Sequence, residues 1–199
     1  MRDNRLLFGP LGAAILLLGV VGLGLMVPGY SAVRQTVSEI GEVGSPMRVP
    51  FAATLCVVAA CILVFAVALN KIAVDAGRSR WPAWLTGFMA ISAAGVGIFA
   101  FPDPLHNVFG LSELIGYQAP LILALTWRRE PRLASAVTVS AIMAVVVWIA
   151  IAFNLSSLDR SGTIWAHLKP VYGLVQRALF AAWFGWCALL GARLHLERA

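Results

Sequence analysis

The sequence predicts an all-α polytopic membrane protein, a single bundle of six transmembrane helices, and three observations lead to this. Of the 199 residues, 60% are hydrophobic and 12% are charged, with a mean hydropathy of +0.86, which lies outside the range of soluble domains. Apolar windows long enough to cross a hydrocarbon core of roughly 30 Å recur six times. The connections between them are short, so residues 1–199 are predicted to form one domain.

The first predicted span covers residues 6–27, and its many glycines favour close contact with neighbouring helices. No small-residue cleavage site precedes Pro28-Gly29, so we expect this span to stay attached rather than to act as a signal peptide. The polar connection of residues 28–50 is long enough for an amphipathic segment lying on the membrane surface. The remaining predicted spans are residues 51–69, 84–101, 105–127, 133–153 and 171–194.

Tryptophan and proline mark the ends of several predicted spans. Trp81 and Trp84 precede the third span and suit the aromatic belt of a membrane interface. Pro102 and Pro104 are predicted to end that helix, and Pro120 to kink the fourth one. The fifth span is rich in Val and Ala and offers no group suited to chemistry.

The net charge of +6 and the pI near 9.9 do not point to nucleic acid, because the basic residues sit in short loops beside the spans. Cys56, Cys61 and Cys187 fall inside predicted spans without a CxxC or Cys/His cluster. We therefore expect no disulfide, no metal site and no cofactor. Sequence motifs of serine hydrolases, phosphate-binding loops, zinc proteases and haem attachment are absent from the sequence.

The distribution of Lys and Arg predicts the orientation in the membrane. Ten of these residues flank one side: Arg2, Arg5, Lys71, Arg78, Arg80, Arg128, Arg129, Arg132, Arg193 and Arg198. The first, third and fifth loops carry only Arg34, Arg48, Arg160 and Lys169. Both termini are therefore predicted to be cytoplasmic, with the odd-numbered loops outside.

The fourth span carries a polar face. His106, Gly110, Glu113 and Tyr117 follow helical spacing and are predicted to lie on one side of the helix. An ionisable group within a span needs a partner or a protein interior, and Arg177 lies at a matching depth of about 10 Å in the sixth span. The sequence therefore predicts an ion pair between Glu113 and Arg177. It could act as a structural clamp, or Arg177 could bind an anionic headgroup.

Further candidates for chemistry lie on the outer side, close to His106 in the sequence or in the predicted loops. Asp103 and His106 are spaced for an acid/base pair, or could contribute metal ligands with Glu39 and His167 folded over them. The simpler interpretation is a histidine at the start of an interfacial helix with ordinary loop carboxylates around it.

Three groups of residues together resemble one known family. They are Ser38-Glu39-Ile40-Gly41 with Pro46 and Phe51, Phe101-Pro102-Asp103 with His106, and Gln176-Arg177 with Trp183 or Trp186. The set resembles the six-span prokaryotic membrane family catalogued as domain of unknown function 998, over nearly the whole chain. That family is distantly similar to a eukaryotic group containing damage-regulated autophagy modulators and the Golgi protein that remodels GPI lipid anchors. The resemblance implies a bacterial or archaeal cytoplasmic membrane and a link to lipid handling.

The leading functional hypothesis is an outward-facing polar pocket that binds or handles a lipid or amphiphile headgroup. Its predicted lining is Glu39, Asp103, His106, Glu113, Tyr117, Gln176 and Arg177. A non-catalytic subunit of a larger membrane complex is the alternative, with other membrane chains as partners. A small transporter is a third possibility, but the lack of a detectable inverted repeat in the sequence argues against it. The sequence leaves open whether the protein is an enzyme.

Overall fold

The structure is a computed structural model that describes residues 3–197, and this part of the chain folds entirely into helices and connecting turns. Arg2 and Arg198, which enter the predicted orientation, lie outside these residues. The α-helices are α1 (Phe8–Leu25), α2 (Arg48–Asp75), α3 (Trp81–Ile98), α4 (Pro104–Gly116), α5 (Ala119–Trp127), α6 (Ala134–Leu155), α7 (Thr163–Leu168) and α8 (Tyr172–Glu197).

Within residues 3–197, six helical segments are long and apolar enough to cross a membrane, which confirms the predicted number. They are Asn4–Leu25, Arg48–Asp75, Trp81–Ile98, Pro104–Trp127, Pro131–Leu158 and Thr163–Glu197. The second segment extends well beyond the predicted residues 51–69. The extension, residues 70–75, includes Asn70, Lys71 and Asp75 yet stays helical, and Lys71 donates to the Asp75 carboxylate one turn further on, at 2.8 Å. The protein is therefore a multi-pass membrane protein.

Two long helices, α2 and α8, form much of the packing around α1, which contacts both. α2 also packs on α3, α8 packs on α6, and α5 packs on α6. Glycine allows the close approach of α1 and α8, because a Cβ at Gly9 would lie 2.5 Å from the Cys187 carbonyl oxygen. Trp183 and Trp186 of α8 are fully buried.

The fourth membrane segment is broken in its middle, between Gly116 and Ala119, as the predicted kink at Pro120 requires. Because Pro120 has no N–H, it cannot donate to the carbonyl of Gly116 four residues earlier. The indole N–H of Trp183 donates to that carbonyl instead, at 3.2 Å. In a membrane this replacement matters, since water does not reach the free carbonyl.

The first long connection, loop 1 (residues 26–47), contradicts the predicted amphipathic surface segment. It forms a short 3-10 helix, Val37–Gly41, whose Val37 and Ile40 side chains are buried in the core. Gly41 packs directly against the Phe51 ring, where a Cβ would clash. Loop 1 thus folds over one end of the bundle. Its apolar residues are removed from water more completely there than they would be on the membrane surface.

Candidate functional site

The site is built around a hydrogen bond between His106, in the first turn of α4, and Ser38 of loop 1. His106 Nδ1 lies 2.8 Å from the Phe99 carbonyl oxygen and 3.1 Å from that of Val96. Since both neighbours are acceptors, Nδ1 carries the proton and Nε2 is left as an acceptor. The Ser38 hydroxyl lies 2.9 Å from Nε2 and therefore donates to it. The imidazole also satisfies carbonyls at the carboxyl end of α3.

Glu39, predicted as a pocket carboxylate, organises loop 1 from within. Its Oε1 accepts from the backbone N–H of Thr36 at 2.8 Å and from the Thr36 hydroxyl at 2.9 Å, completing a capping box. Its Oε2 accepts from the Gln35 side-chain amide at 2.8 Å. These bonds hold the 3-10 helix that carries Ser38, while Glu39 still lines the cavity described below.

Gln176 and Arg177, adjacent on α8, fasten loop 1 to the bundle. Gln176 Oε1 accepts from the backbone N–H of Val37 at 2.6 Å. One guanidinium nitrogen of Arg177 donates to the carbonyls of Ala32, Gln35 and Gly173 at 2.8, 3.0 and 2.9 Å. The guanidinium has four potential acceptors in all, since its other terminal nitrogen contacts the Tyr30 hydroxyl.

Tyr30 contributes to the same attachment from loop 1. Its hydroxyl donates to the Thr36 carbonyl at 2.8 Å while it receives the contact from Arg177. Burial raises the pKa of the Tyr30 phenol, and the neighbouring Arg177 guanidinium opposes that rise. The phenol therefore remains a neutral donor that joins two parts of loop 1.

The predicted ion pair between Glu113 and Arg177 is wrong. Within residues 3–197 the two side chains form no salt bridge, because the Arg177 donors are used by loop 1 carbonyls. Glu113 instead accepts from the Tyr117 hydroxyl at 3.0 Å, one helical turn further along the chain. The predicted common face is confirmed, since His106, Gly110, Glu113 and Tyr117 line one cavity.

Two adjoining cavities open at this end of the bundle. The polar cavity, of about 660 Å³, lies among loop 1, the start of α4, and the segment around α7. The deep cavity, of about 270 Å³, continues between α4, α6 and α8. Both are lined by Ser38, His106, Asn107, Ser157, Tyr172 and Gln176. The Ser38–His106 hydrogen bond therefore lies at the junction of the two cavities.

The two cavities differ in chemistry. The polar cavity is lined by Arg34, Arg160 and Lys169. Glu113 and Tyr117 are polar groups on the wall of the deep cavity. Most of its remaining lining is apolar: Val96, Leu111, Leu114, Leu155, Leu158, Leu179 and Phe180. Leu111 and Leu158 line the cavity and are also 58% and 71% exposed, so the deep cavity reaches the side of the bundle.

That side opening follows from the helix packing. α4 packs mainly against α3, whereas α6 packs mainly against α5 and α8, so a gap separates α4 from α6. This gap therefore lies between two of the segments that are long and apolar enough to cross a membrane, Pro104–Trp127 and Pro131–Leu158.

The structure brings five of the seven predicted site residues to these cavities and leaves two away from them. The five are Glu39, His106, Glu113, Tyr117 and Gln176. Asp103 instead caps α4, where its carboxylate accepts from the backbone N–H of Leu105 at 2.8 Å. Arg177 lines neither cavity, because it is turned to the backbone of loop 1.

Sequence reasoning missed several cavity residues. The partnership of Ser38 with His106 spans 68 residues of sequence and has no local periodicity that could reveal it. Asn107, Tyr172, Arg160 and Lys169 were not considered as lining residues. The sequence signal for this part of the site was Ser38 itself, which belongs to the group Ser38-Glu39-Ile40-Gly41 that carries the family resemblance.

The described residues contain no group of three or more His, Cys, Asp and Glu side chains placed to hold a metal ion. His167, considered as a possible ligand, is exposed and its Nδ1 contacts the Thr163 carbonyl at 2.8 Å. The polar groups that line the two cavities include hydroxyls, an imidazole, amides, phenols, the carboxylates of Glu39 and Glu113, and three cations.

The helical segments and the cavity at one end define a multi-pass membrane protein with an internal polar site. The family model described as "Protein of unknown function (DUF998)" matches residues 10–193, and the chain belongs to this family. No curated protein and no solved structure matches the sequence.

Proposed function

We propose that the protein binds an anionic lipid or related amphiphile, with the headgroup in the polar cavity and an acyl chain in the deep cavity. The observation that carries this proposal is the continuity of a basic cavity with an apolar one that opens sideways. An amphiphile has the same division into a charged and an apolar part. Most small-molecule sites similarly combine apolar walls with a few placed polar groups.

Charge favours an anionic headgroup. Arg34, Arg160 and Lys169 line the polar cavity, and none of them forms a salt bridge with a described acidic residue. The carboxylate of Glu39, the acidic side chain on that wall, is already hydrogen-bonded to Thr36 and Gln35. The polar cavity is therefore net cationic, and guanidinium groups bind phosphate through paired hydrogen bonds.

The proposed location is the cytoplasmic membrane of a prokaryote, with both termini in the cytoplasm and the polar cavity facing outward. The basic loops at the opposite end of the bundle support this orientation through the positive-inside rule.

A purely structural role within a larger membrane complex is the competing proposal. It is supported by Gln176 and Arg177, whose side chains hold the backbone of loop 1. In that case these polar residues would serve the fold alone, and the protein would purify with the same partner chains each time.

Native mass spectrometry on gently extracted protein tests the proposal, using phosphatidylglycerol as the anionic probe and phosphatidylcholine as the zwitterionic one. We expect preferential retention of phosphatidylglycerol. Replacing Arg160 and Lys169 with Gln should weaken its binding by about fivefold per residue, corresponding to about 1 kcal/mol for each cation near a headgroup.

A cavity-filling variant supplies the matched control. A side chain at Gly110 would enter the deep cavity without meeting another atom within 4 Å of its Cβ. Gly110→Leu should therefore fold and lose the retained lipid. Gly22→Leu adds the same side chain to an open position on α1, away from both cavities, and should keep the lipid. Folded protein without specific lipid, arriving with a constant partner chain, would favour the structural role.

A further inference from the structure

We propose that Ser38 and His106 form a nucleophile and general base that cleave a carboxylic ester in the bound amphiphile. This rests on the proposed binding function and adds a reaction to it. The Ser38 Oγ and His106 Nε2 atoms are 2.9 Å apart, within the distance at which a base removes a hydroxyl proton.

The tautomer of His106 suits this role. The carbonyls of Phe99 and Val96 hold the proton on Nδ1, so Nε2 presents its lone pair to Ser38. When Nε2 takes up a proton, the same two carbonyls stabilise the positive charge that spreads over the ring. A carboxylate performs this task in many nucleophile–base pairs, and here two carbonyl dipoles occupy its place.

The position of Ser38 identifies the class of bond. Its side chain lies where the basic cavity meets the apolar one. In an amphiphile with its headgroup in the first and its acyl chain in the second, the linkage at that junction is the ester that joins them. The geometry therefore favours a carboxylic ester over a bond within the headgroup.

Donors for the developing oxyanion are present on the same wall. Gln176 Oε1 is fixed by the N–H of Val37, next to Ser38, which leaves Nε2 as the free side of the amide. Across the described chain Nε2 has no hydrogen-bond partner, yet it is not among the fully buried unsatisfied atoms, so it keeps access to the cavity. The Asn107 amide also lines both cavities. Such donors stabilise the charge on a tetrahedral intermediate.

The reaction balances with water as the second reactant. His106 Nε2 takes the proton of Ser38 as Oγ attacks the ester carbonyl carbon, giving a tetrahedral intermediate. The ester C–O bond breaks, and Nε2 returns the proton to the leaving alcohol, which leaves an acyl group on Oγ. A water molecule from the polar cavity then attacks the acyl carbon and gives one proton to Nε2. The acyl–Oγ bond breaks, Oγ recovers that proton, and the carboxylic acid is released.

The hydrogen bond between Ser38 and His106 is not needed to hold loop 1 on the bundle. Loop 1 is already fastened by Gln176, Arg177 and Glu39, and His106 is already fixed by two carbonyls. Removing the Ser38 hydroxyl should therefore leave the bundle intact, which separates a chemical role from a structural one.

Covalent labelling with a fluorophosphonate, on full-length protein in phosphatidylglycerol nanodiscs, tests the nucleophile. We expect a single adduct that maps to Ser38 and is abolished in Ser38→Ala. Ser45→Ala is the matched control, since the Ser45 hydroxyl in the same loop donates to the Ile40 carbonyl at 2.6 Å and lines neither cavity. Its labelling should equal that of the original protein.

His106→Asn tests the base while keeping a side-chain N–H near the Phe99 carbonyl, so that the end of α3 stays capped. Its labelling rate should fall by roughly 100-fold or more. Hydrolysis of a medium-chain p-nitrophenyl ester should be lost in parallel, with thermal unfolding unchanged.

The outcomes separate this inference from the binding proposal. Folded protein that is not labelled, or is labelled equally in Ser38→Ala or His106→Asn, would overturn the dyad. If that same protein still retains an ether-linked phosphatidylglycerol, which has no ester to cleave, the binding proposal stands alone. Loss of both labelling and retention would remove the two together.

Discussion

The two ends of the bundle use buried polar groups for opposite purposes. At one end, loop 1 is joined to α4 through His106 and to α8 through Gln176 and Arg177, next to the two cavities. At the other end, the indole of the fully buried Trp127 donates to the Ser79 carbonyl at 2.9 Å and closes the gap between two loops. Arg78 crosses the same gap to the Arg129 carbonyl at 3.1 Å.

The difference lies in what remains after the polar groups are satisfied. At the Trp127 end, a large aromatic ring fills the space between the loops, so the hydrogen bond and the packing coincide. At the Ser38 end, hydrogen bonds span an opening that no side chain fills. Such an opening costs packing energy, and the proposed amphiphile would restore contacts there.

The largest expected effect is an all-or-none difference in accessibility between the two ends. Cysteines introduced at Val43 and Ser161 should react with an impermeant thiol reagent in intact cells, and a cysteine at Ser79 should not, because the proposed orientation places the basic loops at that end in the cytoplasm. The original protein, whose three cysteines lie within the membrane segments, provides the background. The reverse pattern would place the cavities on the cytoplasmic side.

Replacement of Arg177 should produce the largest loss of stability. Arg177→Met leaves the loop 1 carbonyls of Ala32 and Gln35 without the guanidinium donor, and each hydrogen bond to a charged group contributes roughly 1.5–3 kcal/mol. We expect a loss of at least about 3 kcal/mol in thermal unfolding in detergent. Arg160→Met removes an exposed cation on the cavity wall and should change stability by less than about 0.5 kcal/mol.

Variants of Glu113 and Arg177 distinguish the observed contacts of these residues from the ion pair predicted between them. Because Glu113 and Arg177 share no partner, the losses from Glu113→Gln and Arg177→Met should add to within about 0.5 kcal/mol in the double variant. A true buried ion pair would behave differently, since replacing both charged residues restores much of the stability that is lost when one of them is replaced. A double variant more stable than Arg177→Met would therefore contradict the observed contacts.

The smallest expected effect is at the Trp127 contact. Trp127→Phe keeps most of the buried ring but loses the hydrogen bond to Ser79, at a cost of about 1 kcal/mol. Thermal unfolding should register this loss, while retention of phosphatidylglycerol stays unchanged. Trp148→Phe, at a ring that is 48% exposed, should have no measurable effect on either quantity. Loss of lipid on Trp127→Phe would mean that the two ends are coupled.

Much of the fold could be predicted because burial in a membrane requires long apolar stretches, which are visible in the local sequence. Long apolar windows marked all six segments, and helical spacing correctly placed His106, Glu113 and Tyr117 on one face. Pro120 likewise marked the break in the fourth segment, since a missing N–H is a property of one residue.

The remainder depended on contacts between distant backbone and side chains. Equal depth suggested that Arg177 would meet Glu113, but the sequence does not reveal that loop 1 brings its carbonyls to Arg177. Backbone carbonyls are the same in every residue, so they leave no trace in the side-chain pattern. The position of Ser38 against His106 depends on that folded loop and was hidden for the same reason.

The sideways opening at Leu111 and Leu158 has a consequence for how affinity should be measured. A ligand that reaches the deep cavity from between α4 and α6 is first dissolved in the bilayer, so its relevant concentration is a mole fraction in the membrane. Diluting the sample with buffer would leave occupancy unchanged, whereas adding inert lipid or detergent would lower it. For the proposed lipid, surface dilution and not aqueous titration is therefore the correct axis of a binding curve.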